Sequence, residues 1–399
     1  MPARSTVVPG FRASGVACGL KSSGAPDLAL IVSDRPAAVA GVFTRSTFVG
    51  APVEVSRERV RAGRARGVVV NSGCSNVAMG ARGLRDARAM AALAAGAAGL
   101  GESELLVAST GVIGQPLPLA KLGSGVGLAA RRLTPAGWSR AARAIMTTDT
   151  VPKLATARAR IGGRSVSVTG ICKGSGMLQP DMATMLAFLA CDAAVTPAVL
   201  RRIFRAVADE SFNRVTVDGE GSTSDMALCF ANGAAGHAPI RSATGRDARA
   251  LRRALESVAG ELAQALARDG EGATKLVTVE VRGARNAAEA ERAARRIANS
   301  LLVKTALFGG DPNWGRILQT VGAGRVRLDL PHTRVSLGGV VVFERGASAG
   351  PAARRRAARA LARAEIPIEV VLGRGPGRAR VWTCDLSYDY VRINAEYTT

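Results

Sequence analysis

The sequence contains few of the side chains on which many catalytic and metal sites depend. Among 399 residues there are only two histidines, His237 and His332. A zinc site with histidine ligands or a serine–histidine–aspartate triad therefore has almost no candidates, and we predict no metal site. Each histidine lies in a polar or turn-rich stretch, so we expect both to be ordinary surface residues.

Cysteine is also scarce, with six scattered residues and no CxxC pair. A chain of this length does not need disulfides to fold, so reduced thiols and a cytoplasmic location are expected. No apolar run approaches the roughly 20 residues of a bilayer crossing, and the start, MPARSTVVPGFRASG, lacks the apolar segment of a secretory signal. We expect no membrane association. A GxxxxGK[ST] phosphate loop is missing too, and no cofactor is predicted.

Lysine is rare, whereas arginine is abundant. The formal net charge is +23, and six lysines stand against 48 arginines. A charge of this size is typical of nucleic-acid-binding proteins. The arginines, however, lie mainly in Ala/Arg-rich helical segments without the interleaved aromatic residues that stack on bases. We therefore predict solvated helix faces and no nucleic-acid partner. Four of the lysines recur in the motifs described below: Lys153, Lys173, Lys275 and Lys304.

The pattern of apolar residues predicts a mixed α/β protein, a sandwich of sheets and helices. Short apolar runs predict strands, and longer periodic segments between them predict helices. Thr196 and Asn286 stand at predicted helix starts. The predicted strands are LALIVS, VAGVF, GVVVN, LLVAS, RSVSVTGI, TMLAFLAC, RVRLDL, RVSLGGVVVF, IPIEVVLG and RVWTCDL.

The segment KGSGMLQPDMATMLAFLAC is the most informative stretch of the chain. Glycine and proline break its first half, and its second half is an apolar run of strand length. The junction Ala183–Thr184 places a threonine where a loop enters a core strand, which is also an ordinary arrangement. If Thr184 attacks the Ala183 carbonyl, the chain is cut and a new amino terminus forms. The released α-amine can then activate the threonine hydroxyl without any histidine.

This segment and seven others resemble the ornithine acetyltransferases, also called glutamate N-acetyltransferases. The similarity extends over essentially the whole chain, in the same order. The further motifs are FRASGVACGLKSSGAPDLALIVSD, STGVIGQPLP, TTDTVPK, ESFNRVTVDGEGSTSD, EGATKLVTV, VKTALFGGDPNWGRI and CDLSYDYVRINAEYTT.

The resemblance implies a self-cleaving enzyme with an N-terminal threonine nucleophile. It implies an α chain of residues 1–183 and a β chain of residues 184–399 that share one core, assembled as a heterotetramer of two of each. The implied reaction moves an acetyl group from N2-acetylornithine to glutamate through acetyl-Thr184, in arginine biosynthesis. Some members also accept acetyl-CoA as donor, and the sequence leaves this open.

The same resemblance implies roles for individual residues. Thr184 matches the nucleophile and Ala183 the residue before the cut, while Thr110 and Gly111 match the pair that stabilises the oxyanion. The remaining matches are to substrate contacts, with the choice between the first two left open: Thr147, Thr148, Lys173, Glu271, Asn394 and Thr399.

One segment departs from the family pattern. VVVNSGCSNVAMG carries Cys74, Ser75 and Met79 where the family usually has an Asn/Ala-rich stretch. If this loop lines the pocket, the preferred acyl acceptor could differ. Two other functions remain as alternatives: a self-cleaving aminopeptidase that lets water remove the acyl group, and a basic nucleic-acid-binding protein.

Overall fold

The apolar runs form the strands of two β-sheets. The computed structural model describes residues 6–179 and 185–396. Within them, the strand order of the larger sheet is β4-β3-β2-β8-β7-β6-β5, with β1 paired to β2. Its strands are β1 (Phe11–Val16), β2 (Leu28–Phe43), β3 (Arg64–Cys74), β4 (Leu105–Val112), β5 (Lys153–Ile161), β6 (Arg164–Lys173), β7 (Leu186–Cys191) and β8 (Met226–Ala231).

The smaller sheet is built from the last third of the chain, in the order β12-β11-β10-β13-β9-β14. Its central strands β9 and β13 are parallel, and β14 and β10 flank them in antiparallel pairing. The strands are β9 (Leu276–Ala284), β10 (Arg334–Leu337), β11 (Val340–Glu344), β12 (Ala347–Ser348), β13 (Glu365–Val371) and β14 (Gly377–Cys384).

Helices cover the faces of both sheets. Their Ala/Leu faces are buried and their arginines, such as Arg252 in α6 and Arg355 in α10, are exposed, as predicted from the sequence. The helices are α1 (Ala51–Val60), α2 (Gly80–Ala98), α3 (Leu119–Arg131), α4 (Trp138–Ala144), α5 (Pro197–Glu210), α6 (Arg246–Arg268), α7 (Ala287–Asn299), α8 (Leu301–Phe308), α9 (Trp314–Ala323), α10 (Gly350–Ala360) and α11 (Tyr388–Glu396).

A break within β2 turns the larger sheet into a sandwich. The pairing of β2 with β3 shifts between Val32 and Ala37, and the three residues 34–36 are exposed. Such an irregularity bends a strand. Apolar side chains of β3 and β4 consequently share one core with those of β7 and β8. Helices α5 and α6 pack on one outer face, and α2 and α3 on the other. The mixed α/β class predicted from the sequence is confirmed.

Strands from both sides of the Ala183–Thr184 junction lie in this sheet. β6 precedes the junction, β7 follows it, and the two pair from Lys173↔Leu186 to Val168↔Cys191. A chain cut at the junction would therefore remain joined through strand pairing and a common core. None of the helices in the described part of the chain combines the length and the apolar character that a bilayer crossing requires.

Two local predictions need correction. RVRLDL forms no strand: Asp329 N donates to Leu372 O, His332 N closes a turn onto Asp329 O, and Pro331 has no backbone N–H to donate. The runs LALIVS and VAGVF join as β2, whereas RVSLGGVVVF divides into β10 and β11. The helix start predicted at Thr196 is confirmed, since Thr196 is the N-cap of α5, although its side chain makes no capping hydrogen bond. The cap at Asn286 is confirmed, since its side chain accepts from Glu289 N at 2.9 Å.

Candidate active site

A pocket opens where β4 and β6 end and where β7 and β8 begin. All seven predicted site residues within the described part of the chain line it. Met185, the residue after Thr184, lines it as well. The predicted residues in its wall are Thr110, Gly111, Thr147, Thr148, Lys173, Glu271 and Asn394.

Thr110 and Gly111 lie at an irregular end of β4. The pairing with β3 shifts at Cys74, which faces both Thr110 and Val112. Gly111 has a φ of +124°, and a Cβ there would lie 2.4 Å from the Gly73 carbonyl carbon. Only glycine fits both constraints. The tight crossing of two strand ends therefore fixes the position of this Thr-Gly pair in the pocket wall.

Lys173 is a buried cation whose contacts are hydroxyl groups. Its Nζ donates to Thr147 Oγ1 at 2.7 Å and to Thr110 Oγ1 at 3.4 Å. Burial disfavours the charged form and holds the pKa of Lys173 below its ordinary value, although Asp149 opposes this shift. Within the described residues its hydrogen bonds go to neutral hydroxyl groups, and such an ammonium in a pocket wall is suited to bind a carboxylate.

A buried ionic cluster lies behind this wall. Lys153 Nζ is 2.6 Å from Asp149 Oδ1 and 2.5 Å from Asp269 Oδ2. Asp149 also accepts from Gly174 N at 2.8 Å and from Thr147 N at 3.0 Å. Burial alone would raise the pKa of Asp149, but Lys173 and Lys153 outweigh it and lower the pKa to about 2. The cluster fixes the backbone on both sides of the pocket.

Glu271 supplies a carboxylate to the same pocket. Asn394 Nδ2, in α11, donates to Glu271 Oε2 at 2.9 Å, and Glu271 N donates to Ser175 O at 2.9 Å. A Cβ at Gly176 would lie 2.3 Å from Glu271 Oε2, so the backbone passes close to the carboxylate. The last described segment of the chain forms helix α11, and its Asn394 reaches the site. A carboxylate and a buried ammonium thus face one cavity.

Three predicted residues lie outside the described part of the chain: Ala183, Thr184 and Thr399. Their assignments rest on the sequence alone. Met185, which follows Thr184 directly in the chain, lines the pocket.

The sequence reasoning missed several residues of the pocket. The loop from Ser222 to Asp225 lines it, although ESFNRVTVDGEGSTSD was recognised only as a motif. In VVVNSGCSNVAMG, the segment that differs from the family pattern, Ser75 lines the pocket. The Cys74 thiol instead donates to Gln115 O at 3.3 Å. This loop therefore contributes to the pocket through Ser75.

His237 corrects the expectation that both histidines lie on the surface. It is buried, Ala194 N donates to its Nε2 at 3.1 Å, and its Nδ1 lies 2.8 Å from Ala238 O. This histidine joins two loops and is remote from the pocket lining. His332 is exposed, as expected. In the described ranges, no group of three or more His, Cys, Asp or Glu residues could hold a metal ion.

The fold and the pocket define a mixed α/β enzyme with a site for a small molecule that carries both charges. The ArgJ family model matches residues 12–399. The chain is 48% identical to the arginine biosynthesis bifunctional protein ArgJ of Geobacter sulfurreducens, with 98% of this chain and 100% of the relative covered. The ArgJ protein of Thermosynechococcus vestitus is 46% identical over 99% of this chain and 97% of its own length. The chain therefore belongs to the ArgJ family, which confirms the resemblance found in the motifs.

The chain is also similar to solved structures, among them an ornithine acetyltransferase. The ornithine acetyltransferase of Mycobacterium tuberculosis, complexed with ornithine, is 38% identical over 45% of this chain and 98% of the solved chain, with a TM-score of 0.40.

Proposed function

We propose that this enzyme transfers an acetyl group from N2-acetylornithine to glutamate in arginine biosynthesis, through an acetyl ester on Thr184. One observation supports the proposal most directly: a single pocket is lined by Thr110, Gly111, Lys173, Glu271 and Met185. These residues come from three separate sequence motifs. Family membership supports the same reaction.

The proposed chemistry has two similar halves. Thr184 Oγ attacks the acetyl carbonyl while its proton passes to the free α-amine of Thr184. The C–N bond of acetylornithine then breaks, and the α-amine returns the proton to the leaving ornithine nitrogen. The neutral amine of glutamate then attacks the acetyl ester. Its proton passes through the α-amine to Thr184 Oγ as the ester C–O bond breaks, which restores the Thr184 hydroxyl. One amide replaces another, so no external energy source is needed.

The pocket residues receive roles that suit their chemistry. The Thr110 hydroxyl and the Gly111 N–H stabilise the oxyanion of both tetrahedral intermediates. Lys173 binds a substrate carboxylate, together with Thr147 or Thr148. Glu271 binds a substrate ammonium group, held in place by Asn394. Thr399 is assigned to the same group of contacts by the family match.

Thr184 becomes a free amino terminus only after cleavage at Ala183–Thr184. We propose that the chain cuts itself there into residues 1–183 and 184–399, which stay together through the β6–β7 pairing. We also propose a heterotetramer of two chains of each kind, a cytoplasmic location and acetyl-CoA as a second donor. All six cysteines are free thiols, which suits a reducing compartment.

The decisive experiment is the intact mass of the denatured protein, followed by the mass after addition of acetylornithine. We expect two species divided at Ala183–Thr184, and an added acetyl group on the second. Thr184→Ala should leave one chain, while Thr196→Ala should be cut normally, because Thr196 makes no capping bond. A single unmodified 41.0 kDa wild-type chain would contradict the mechanism.

A second measurement separates the transferase from a hydrolase. A transferase should release ornithine many times faster when glutamate is present, because glutamate removes the acetyl group. Equal release with and without glutamate would indicate that water is the acceptor.

A further inference from the structure

Asp225 places a second carboxyl group in the pocket. It directly precedes β8, lines the pocket and is 3% exposed. Ser222 hydrogen-bonds to its carboxyl group, but its Oδ2 has no partner among residues 6–179 and 185–396. Buried polar atoms without a partner are rare and costly in folded proteins, and one that faces a pocket is available to a ligand. None of the roles described above uses this carboxyl group.

Strand register fixes Asp225 beside the start of β7. The parallel pairing of β7 and β8 begins at Leu186↔Met226, and Met226 N donates to Met185 O at 3.0 Å. Thr44 N donates to Asp225 O at 3.0 Å and ties the other side of the backbone. The backbone of Asp225 is therefore fixed beside the start of β7.

We propose that Asp225 is the binding group for a primary ammonium at the reaction centre. This inference rests on the proposed function. Two sources supply that chemistry: the α-amine of Thr184, which becomes an ammonium each time it takes the hydroxyl proton, and the amino group of an amino-acid substrate. In both cases the ammonium donates to Asp225 Oδ2 and completes its hydrogen bonding.

The surroundings of Asp225 favour a cationic partner. Lys173 lines the same pocket, but its Nζ is directed to the hydroxyl groups of Thr147 and Thr110. Burial raises the pKa of the Asp225 carboxyl well above its ordinary value, against the opposing influence of Ser222 and Lys173. An arriving ammonium would stabilise the ionised form. A carboxyl group of this kind holds an amine and exchanges a proton with it.

The test compares Asp225→Asn with Asp192→Asn in the full-length, self-cleaved enzyme. Asp192 is a matched control, because it is 2% exposed and lies just beyond the opposite end of β7. Acetylation of Thr184 by acetylornithine and its deacetylation by glutamate are each measured in single turnovers over a range of substrate concentrations. We expect Asp225→Asn to lose about 10- to 100-fold in rate or in apparent affinity, the effect of one charge-assisted hydrogen bond, and Asp192→Asn to resemble the wild type.

The pattern of the loss identifies the source of the ammonium. If it is the amine of Thr184, both half-reactions slow equally at saturation and neither KM changes. If it is a substrate amine, the KM of that substrate alone rises. Asp225→Glu, which keeps the charge, should recover part of the loss in either case. If Asp225→Asn does not fold, the inference is tested on Asp225→Glu, for which the same parameters should change without a loss of thermal stability.

Two results would overturn the inference. One is an Asp225→Asn enzyme with wild-type rates and KM values. The other is a folded Asp225→Asn protein that remains uncut, since the proposed ammonium does not exist on Thr184 before cleavage. Failure of the wild type itself to be cut or acetylated would instead reject the proposed function.

Discussion

The pocket end of the larger sheet and the surface of the smaller sheet handle charge in opposite ways. Around the pocket, lysines and carboxylates are buried: Lys153, Lys173 and Asp149 are each at most 9% exposed. On the smaller sheet, Arg282 and Arg380 extend into solvent on both sides of Glu280, with side chains 63% and 55% exposed. The buried charges around the pocket form a site, whereas the exposed charges of the smaller sheet cover a surface.

The comparison explains why lysine is rare and arginine abundant in this chain. A compact ammonium fits among buried oxygens, whereas the wide guanidinium fork suits a partly solvated surface. Lys304 follows the same rule, since its Nζ is buried and contacts Thr383 Oγ1 at 3.2 Å. The charge of +23 is therefore carried mainly by solvated arginines. No nucleic-acid site is needed to account for it.

The largest effect on stability is expected at Lys153. Lys153→Met would leave Asp149 and Asp269 buried without their shared cation, and removal of one partner from a buried ion pair costs about 3–5 kcal/mol. Urea unfolding should show this loss in the free energy of unfolding. Lys121→Met is the control, because Lys121 is exposed. A loss below 1 kcal/mol would mean that the cluster does not support the fold.

Lys173 should behave in the opposite way although it lies close by. Lys173→Met removes a buried cation that has no ion pair within 4 Å in the described ranges. Because only its longer-range attraction to Asp149 is lost, the free energy of unfolding should fall by much less than in Lys153→Met. Acetyl transfer should fall about 10- to 100-fold, mainly through KM, because a charge-assisted bond to substrate is lost. A clear loss of stability with a normal KM would mean that Lys173, like Lys153, supports the fold and does not bind substrate.

Acid should weaken the fold through Asp149. Its pKa of about 2 lies below the ordinary value of 3.8, so its contribution is present above about pH 4 and is lost as the pH falls towards 2. The contribution amounts to about 2 kcal/mol. Between pH 5 and pH 2, Asp149→Asn should therefore lose about that much less stability than the wild type. Asp34→Asn, at an exposed pair, should follow the wild type, and identical curves for all three would contradict the assignment.

The smallest effect is expected on the smaller sheet. Arg380→Ala removes a surface ion pair with Glu280 that Arg282 also supports, so stability should change by less than about 1 kcal/mol. The change should shrink further at high salt. Thermal unfolding at two salt concentrations measures both. A larger loss of stability that does not depend on salt would mean that the ion pairs of Glu280 behave like the buried charges around the pocket.

Much of the molecule could be predicted because the relevant signals are local. Apolar runs such as TMLAFLAC gave the position of β7, and Asn286 gave the start of α7. Family membership was also predictable, because eight segments recur in order, and the family match confirms it. RVRLDL was misread because a strand needs a neighbour to bond with, and alternation in sequence does not show whether one exists.

The sequence by itself determined the mixed α/β class, the family and which residues match its motifs. Only the tertiary structure decided that Thr110, Lys173 and Glu271 share one cavity, because they come together through the bend in β2 and through pairings between strands distant in sequence. It also decided the burial of His237 and the absence of a described partner for Oδ2 of Asp225. Whether a polar side chain is satisfied depends on neighbours from other segments, and these neighbours are fixed by packing.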